Sequence, residues 1–401
     1  MRRACACAAI FLLLASRFAS GQQGHRGPHR GDLRRAAIAE FEKMRQTPPQ
    51  AEEGRQFDRM SRILDVLAQE GISLASTLGG NDSQSFAARQ GVDRVFSAAR
   101  KTAANSLAPS ADRVAAVRML GRGRDRQVED ARLLASLLIP HSPLSVQLAA
   151  VDAIGRLPHG ETTEVLLSGW TTHGPKVHAA VVSVLLWREP WLGALDESAA
   201  ARPELAAALD WARRDIALRH PSAEIRSRAE RMRTAPPRKP EIRKALDRFS
   251  AVLEIQGNPA RGKQVFTEAT CANCHELEGV GRHVGPDLSR LVDRSPRSLL
   301  VDTIDPNRVV DHRFIEYTAM TTGGQQVSGM WFDEEEDGIT LADANGELRV
   351  ILRKDLDDLA CNHRSQMPEG LEARLTPQQM ADLFAFIAGG RFQEEKPVPL
   401  R

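Results

Sequence analysis

Cys271-Ala272-Asn273-Cys274-His275 is the stretch on which the reading of this chain turns. Two thiols two residues apart, followed directly by an imidazole, are what covalent attachment of a c-type haem requires. Each sulfur can add to one vinyl group of a porphyrin, and the histidine is then held beneath the iron as an axial ligand. Two other chemistries use a C-x-x-C pair. A zinc site needs more ligands, but once a leader carrying Cys5 and Cys7 is removed, Cys361 is the one further thiol and no second C-x-x-C exists. A thioredoxin-like pair expects a βαβ setting, whereas the surrounding pattern is helical.

Outward from this pentapeptide the chain is organised as a module over 257–390. Gly257-Asn258-Pro259 opens it, with Asn258 as N-cap and Pro259 at the first position of a helix over Ala260–Thr267. Downstream come Gly281, His283 and Gly285-Pro286-Asp287-Leu288, a helix-like run Pro296–Ile304, and much later Gln366-Met367-Pro368-Glu369-Gly370-Leu371. A helix over Thr376–Ala388, apolar at Leu383, Phe384, Phe386 and Ile387, closes the module. His275 and Met367 are 92 positions apart. The intervening runs Phe314–Thr321, Val327–Phe332, Ile339–Ala342 and Leu348–Leu352, with turns at Gly323-Gly324 and Asp343-Ala344-Asn345-Gly346, read as a small β insertion over about 312–354.

The order of RGKQVF helix, CANCH, GPDL, Met-Pro and final apolar helix resembles a class I cytochrome c. More narrowly, residues 257–390 are similar to the haem-binding domain of planctomycete-type secreted proteins, where such a module follows HEAT-like repeats. The resemblance implies one covalent haem c on Cys271 and Cys274, with His275 as the proximal ligand. It further implies that the carbonyl of Pro286 accepts from the His275 ring N–H, and that Met367 is the distal ligand. His363, four residues before Met367, is the competing distal ligand and would give a bis-imidazole iron of lower potential. Met320 and Met330 fall on expected strands, Met380 falls in the closing helix, and His283 and His312 read as loop residues. The acidic run Asp333–Asp337 has calcium-like composition and reads as a solvated turn.

Towards the N-terminus, Arg2 and Arg3 precede the apolar run Ala4–Ala15, with small residues Ala19 and Gly21 before Gln22. This is the pattern of a secretory signal over 1–21, too short for a membrane span, so the mature chain is expected to be periplasmic or secreted without a transmembrane segment. Helical patterns begin near Asp32 and over Glu53–Gln69. Ala115-Ala116-Val117, Ala149-Ala150-Val151 and Ala179-Ala180-Val181 then recur at spacings of 34 and 30 residues. With intervening helices near Glu129–Leu138 and Glu161–Trp170, and prolines in the turns, residues 32–233 read as a HEAT-like helical repeat domain. Its tryptophans and the scattered His141, His159, His173 and His178 read as packing and surface residues. A Pro-rich linker and connecting helix occupy 234–256, and a tail follows at 391–401. The expected fold is therefore mostly α, a HEAT-like solenoid before a cytochrome c module with a β insertion.

The chain carries 54 Lys and Arg against 52 Asp and Glu, unevenly placed. From Gln256 onward there are 16 against 24, a net of −8, which leaves 38 against 28 before it, a net of +10. The basic half has few aromatics on which bases could stack, which argues against nucleic acid. There is no G-x-S-x-G, P-loop or H-E-x-x-H. The function expected is electron transfer rather than catalysis, with a dehydrogenase or downstream acceptor as redox partner and the repeats as a docking scaffold. The alternatives are a peroxidase-like haem enzyme or a haem-based sensor with an open or displaceable distal position.

Overall fold

The computed structural model describes residues 30–46, 53–157, 162–186, 223, 239–291, 293–308, 310 and 314–389. The expected leader, His159, His312, the expected tail, residues 234–238 of the Pro-rich linker, and the last part of the expected repeat domain from 187 to 233 (apart from Ala223) lie outside these residues, and with it Trp187, Trp191 and Trp211. The chain divides into two compact units, Met1–Ser168 and Gly169–Arg401.

The described part of the first unit is helical: α1 (Arg30–Gln46), α2 (Glu53–Gln69), α3 (Leu74–Thr77), α4 (Ser83–Ala104), α5 (Ser110–Val117), α6 (Gln127–Ser136), α7 (Leu144–Ile154) and α8 (Thr162–Ser168). The i, i+3, i+4 spacing of α2 buries Phe57, Met60, Ile63, Leu64 and Leu67 on one face. At α4, the Asp82 carboxylate accepts from the Ser85 amide at 2.8 Å, which caps the first turn. A Cβ at Gly91 would lie 2.1 Å from the Phe41 carbonyl oxygen, so α1 and α4 meet backbone to backbone. Two of the Ala-Ala-Val segments lie on α5 and α7, which pack together. Ala116, Val117, Ala150 and Val151 are all fully buried there. Small residues let these helices approach closely.

The third Ala-Ala-Val segment falls in the second unit, on α9 (Pro175–Leu186). The compact boundary is thus at Ser168, ahead of the Pro-rich stretch expected to divide the chain. His173 and His178, expected in loops or on faces, are 1% and 4% exposed. His178 shares the buried stripe of Val181, Val182 and Leu185, stacks on Trp170 with ring centroids 4.1 Å apart, and its Nε2 lies 2.6 Å from the Trp170 carbonyl. The His173 carbonyl accepts from the hydroxyl of Tyr317, which supplies the reason a polar segment is drawn inside.

Among the described residues, two cores occupy the rest of this unit. The first joins α10 (Pro240–Phe249), α11 (Pro259–Glu268), α12 (Pro296–Ile304) and α13 (Pro377–Gly389) around Phe249, Phe266, Leu300, Leu383 and Phe386. Asn258 caps α11, accepting from the Ala260 and Arg261 amides at 3.0 and 3.2 Å. Thr376 and Gln379 exchange hydrogen bonds in a capping box at the start of α13. Glycine is required where α13 meets α11 and the segment just before it: a Cβ at Gly262 or Gly257 would lie 2.0 Å from the Asp382 or Ala381 carbonyl oxygen. Asp382, 2% exposed, accepts from Arg261 at 2.7 and 3.0 Å, from the Asn258 amide at 2.7 Å and from Gln378 at 3.0 Å.

The second core lies on one face of a five-stranded antiparallel sheet ordered β6-β5-β4-β3-β7: β3 (Ile315–Thr321), β4 (Gln326–Glu334), β5 (Gly338–Ala342), β6 (Leu348–Leu352) and β7 (Leu356–Ser365). A separate short hairpin precedes it, β1 (Glu276–Leu277) with β2 (Val280–Gly281). The sheet extends to Ser365, past the expected end of the insertion at 354. Strand β7 has no clear alternation in the sequence because Thr321 pairs with Leu356 and Met320 with Asp358, leaving Asp357 as an extra residue. The acidic run is not wholly solvated either: Glu334 is 3% exposed and accepts from Arg353 at 2.6 Å.

Gly262→Ala should force α11 and α13 apart, with a loss of about 1–3 kcal/mol in a urea titration. The Arg261 guanidinium, above all, holds the Asp382 carboxyl below the usual carboxylate range. Its stabilisation is therefore complete above the unfolded value of about 4 and is lost as pH falls through the lower folded value. Asp382→Asn should flatten that acid limb in unfolding midpoints measured from about pH 5 downward.

Candidate functional site

The end of α11 sets the attachment loop. Thr270 adopts a left-handed φ of 64°, turning the chain into a single 3-10 turn over Cys271–Asn273. The amides of Cys274 and His275 both donate to the Cys271 carbonyl, at 3.2 and 2.9 Å. This places both thiols and the imidazole on one tight turn. Cys271 and Cys274 are free and half-buried. Burial pushes the Cys271 thiol up to about 11, and it raises Cys274 too, against the opposing charge of Arg282. Both are therefore neutral S–H groups at physiological pH.

The next residues fold back under His275. In the β1–β2 hairpin, Glu278 and Gly279 take φ of 51° and 74°, a two-residue turn with both central residues left-handed. The amides of Val284 and Gly285 then return to the Cys274 carbonyl. His275 Nδ1 lies 2.8 Å from the Pro286 carbonyl oxygen. A carbonyl can only accept, so Nδ1 carries the proton and Nε2 keeps its lone pair. Burial also lowers the imidazole pKa, opposed by this bond. The result is an oriented, neutral ring, the form in which histidine binds a metal. A Cβ at Gly285 would lie 2.9 Å from His275 Cε1 and 3.0 Å from Nδ1.

Met367 lies on a separate loop at the end of β7. It is half-buried, and its amide donates to Ser365 Oγ at 3.1 Å. The competing His363 lies on β7 itself, with φ of 51° and Nδ1 3.4 Å from the buried Cys361 sulfur. Burial pushes the Cys361 thiol up to about 11, which makes it inert. Met330 and Met380 are buried at 4% and 0%, and Met320 is half-buried on β3. Sequence reasoning missed Arg282, which donates to the Asn345 carbonyl at 2.6 Å and so seats the β5–β6 turn on the attachment loop. A Cβ at Gly346 in that turn would lie 2.5 Å from the Asn273 carbonyl oxygen. No local pattern announces such a contact between segments distant in sequence.

The residues present fit a covalent haem. Besides the two neutral thiols and the oriented imidazole, Ala272, Val280, Leu288, Leu291 and Leu375 are only partly buried against the helical core, an apolar surface suited to a porphyrin. A cytochrome c family model matches residues 259–337, from the first residue of α11 into the turn after β4. This is a cytochrome c domain, and it implies covalently bound haem c and supports an electron-transfer role. Cys271, Cys274 and His275 fall inside the match, and Met367 lies beyond it. No curated protein matches the chain. Among the described residues, no helix is long and apolar enough to cross a membrane.

Gly285→Ala should displace the imidazole from the Pro286 carbonyl. The expected outcome is a measurable shift in reduction potential with covalent haem retained, checked by redox titration beside a haem-stained denaturing gel.

Proposed function

We propose that the chain is an exported monohaem c-type cytochrome that carries electrons between partner proteins. The observation that carries this reading is the His275–Pro286 hydrogen bond on the same tight turn as two free, half-buried thiols. Cys271 and Cys274 would hold the porphyrin as thioethers, and His275 would present Nε2 to the iron in an orientation held by Pro286 through Nδ1. The sulfur of Met367 would be the second ligand, on the likeness of Met367-Pro368 to the cytochrome pattern; His363, within strand β7 and with Nδ1 3.4 Å from the Cys361 sulfur, is the competing candidate. When bound, haem c supplies one-electron chemistry at its iron.

The half-buried apolar residues around the attachment loop limit water at the site, which lowers the reorganisation that accompanies electron transfer. A thioether ligand favours ferrous iron and raises the reduction potential relative to a second imidazole. The helical first half acts as a HEAT-like docking scaffold for a periplasmic dehydrogenase or acceptor; in the planctomycete-type secreted proteins that the module resembles, such a module often follows HEAT-like repeats. The leader-like 1–21 segment supports export, because C-x-x-C-H haem attachment takes place outside the bacterial cytoplasm.

The test is the optical spectrum of the exported protein in both redox states, with a haem stain on a denaturing gel. Covalent haem with the weak far-red band of a sulfur-ligated ferric iron is expected, and Met367→Ala should abolish that band and admit carbon monoxide to the reduced protein. Covalent haem with ready carbon monoxide binding in the wild type would favour an enzyme or sensor instead. Absence of covalent haem in a host that matures c-type cytochromes would sink the proposal.

A further inference from the structure

One side-chain amide grips the Met367 loop on both sides. Asn307, in the turn after α12, accepts from the Ser365 amide through Oδ1 at 2.8 Å. Its Nδ2 donates to Glu369 Oε1 at 2.6 Å. Ser365 is two residues before Met367 and Glu369 two residues after it. The two polar atoms of a planar amide are at a fixed separation, so a single side chain links the Ser365 backbone to the Glu369 carboxylate across this five-residue segment. Met367 is its middle residue.

The other contacts of the loop act in the same sense. Gln366 Oε1 accepts from the Met330 amide of β4 at 3.1 Å, and Ser365 Oγ accepts from the Met367 amide. Lys239 Nζ binds both oxygens of Glu369 at 2.8 and 2.9 Å, so the carboxylate that Asn307 grips is itself held from another side. Gly370 then takes φ of 84°, which lets the chain turn away from the loop. Of these partners, Asn307 alone bonds to the chain on both sides of Met367. The task needs a donor and an acceptor on one rigid group: aspartate has no donor when ionised, and leucine has neither.

We propose that Asn307 is a positioning residue for the distal ligand, closing the Ser365–Glu369 segment so that Met367 sulfur is held toward the iron. This rests on the assignment of Met367 as that ligand. A loop released from Asn307 would still carry the methionine but would no longer fix its sulfur, and the iron would spend part of its time without that bond.

The experiment compares Asn307→Leu, Asn307→Asp and the double variant Asn307→Asp with Glu369→Gln, all as haem-loaded full chains. The double variant restores the bond with its polarity exchanged, because the glutamine amide donates to the new carboxylate, which also still accepts from Ser365. Covalent haem should be retained in all three. Asn307→Leu is expected to lose most of the far-red band, to titrate at a lower potential and to bind carbon monoxide when reduced. Asn307→Asp should show the same changes, with recovery of band and potential in the double variant.

A wild-type band that persists unchanged in Asn307→Leu, with unchanged potential, overturns this proposal and leaves the function reading intact. Loss in Asn307→Leu without recovery in the double variant assigns Asn307 a general structural part and also overturns it. A wild type with covalent haem but no far-red band removes Met367 as ligand, and the proposal falls with that assignment.

Discussion

The crossing of α11 and α13 is the constraint on which the haem module depends. Two helices approach until the backbone of one lies against the carbonyls of the other, and only hydrogen atoms fit at Gly262 and, just ahead of α11, at Gly257. The contact is closed on one side by Phe266 and Phe386, edge to face at 5.6 Å, and on the other by Asp382 with Arg261 and the Asn258 amide. Because α11 runs directly into Thr270 and the attachment turn, this crossing sets where Cys271, Cys274 and His275 stand. Aromatic packing supplies much of the favourable energy and the buried carboxylate fixes the register, since a shift along the axis would leave it without donors.

From that anchor the site is assembled by short-range geometry. A left-handed Thr270, a single 3-10 turn and a tight hairpin bring the Pro286 carbonyl beneath the imidazole within a dozen residues. The loop that carries the proposed ligand Met367 is built differently. It is reached only after a complete antiparallel sheet, and it is tied to the turn after α12, to β4 and to Lys239 ahead of α10. The C-x-x-C-H loop is therefore encoded locally, and the Met367 loop by contacts between segments far apart in the chain.

That contrast explains what was legible in the sequence. The bounds of α2, α12 and β6, the cap at Asn258 and the hairpin turn at 343–346 follow from local pattern, because periodicity, capping residues and glycines act within a few positions. Strand β7 was illegible because a bulge at Asp357 disrupts its alternation among acidic residues. His173 and His178 were misjudged as peripheral, since only the three-dimensional position of the sole tyrosine, Tyr317, reveals a reason to bury them. The family match stops at 337, so it covers the C-x-x-C-H loop, whereas the proposed role of Met367 rests on the resemblance of its sequence.

The β5–β6 turn that rests on the attachment loop has a consequence for the order in which the molecule is made. Gly346 and Asn273, which touch in the folded chain, are separated by 73 positions, and the cysteines are the earlier part of the chain. Until the sheet has formed, nothing from the β5–β6 turn covers the C-x-x-C-H segment. Once Arg282 has engaged Asn345, the same segment lies against a hairpin. Any chemistry on the two thiols therefore has freer access before the sheet folds than after it.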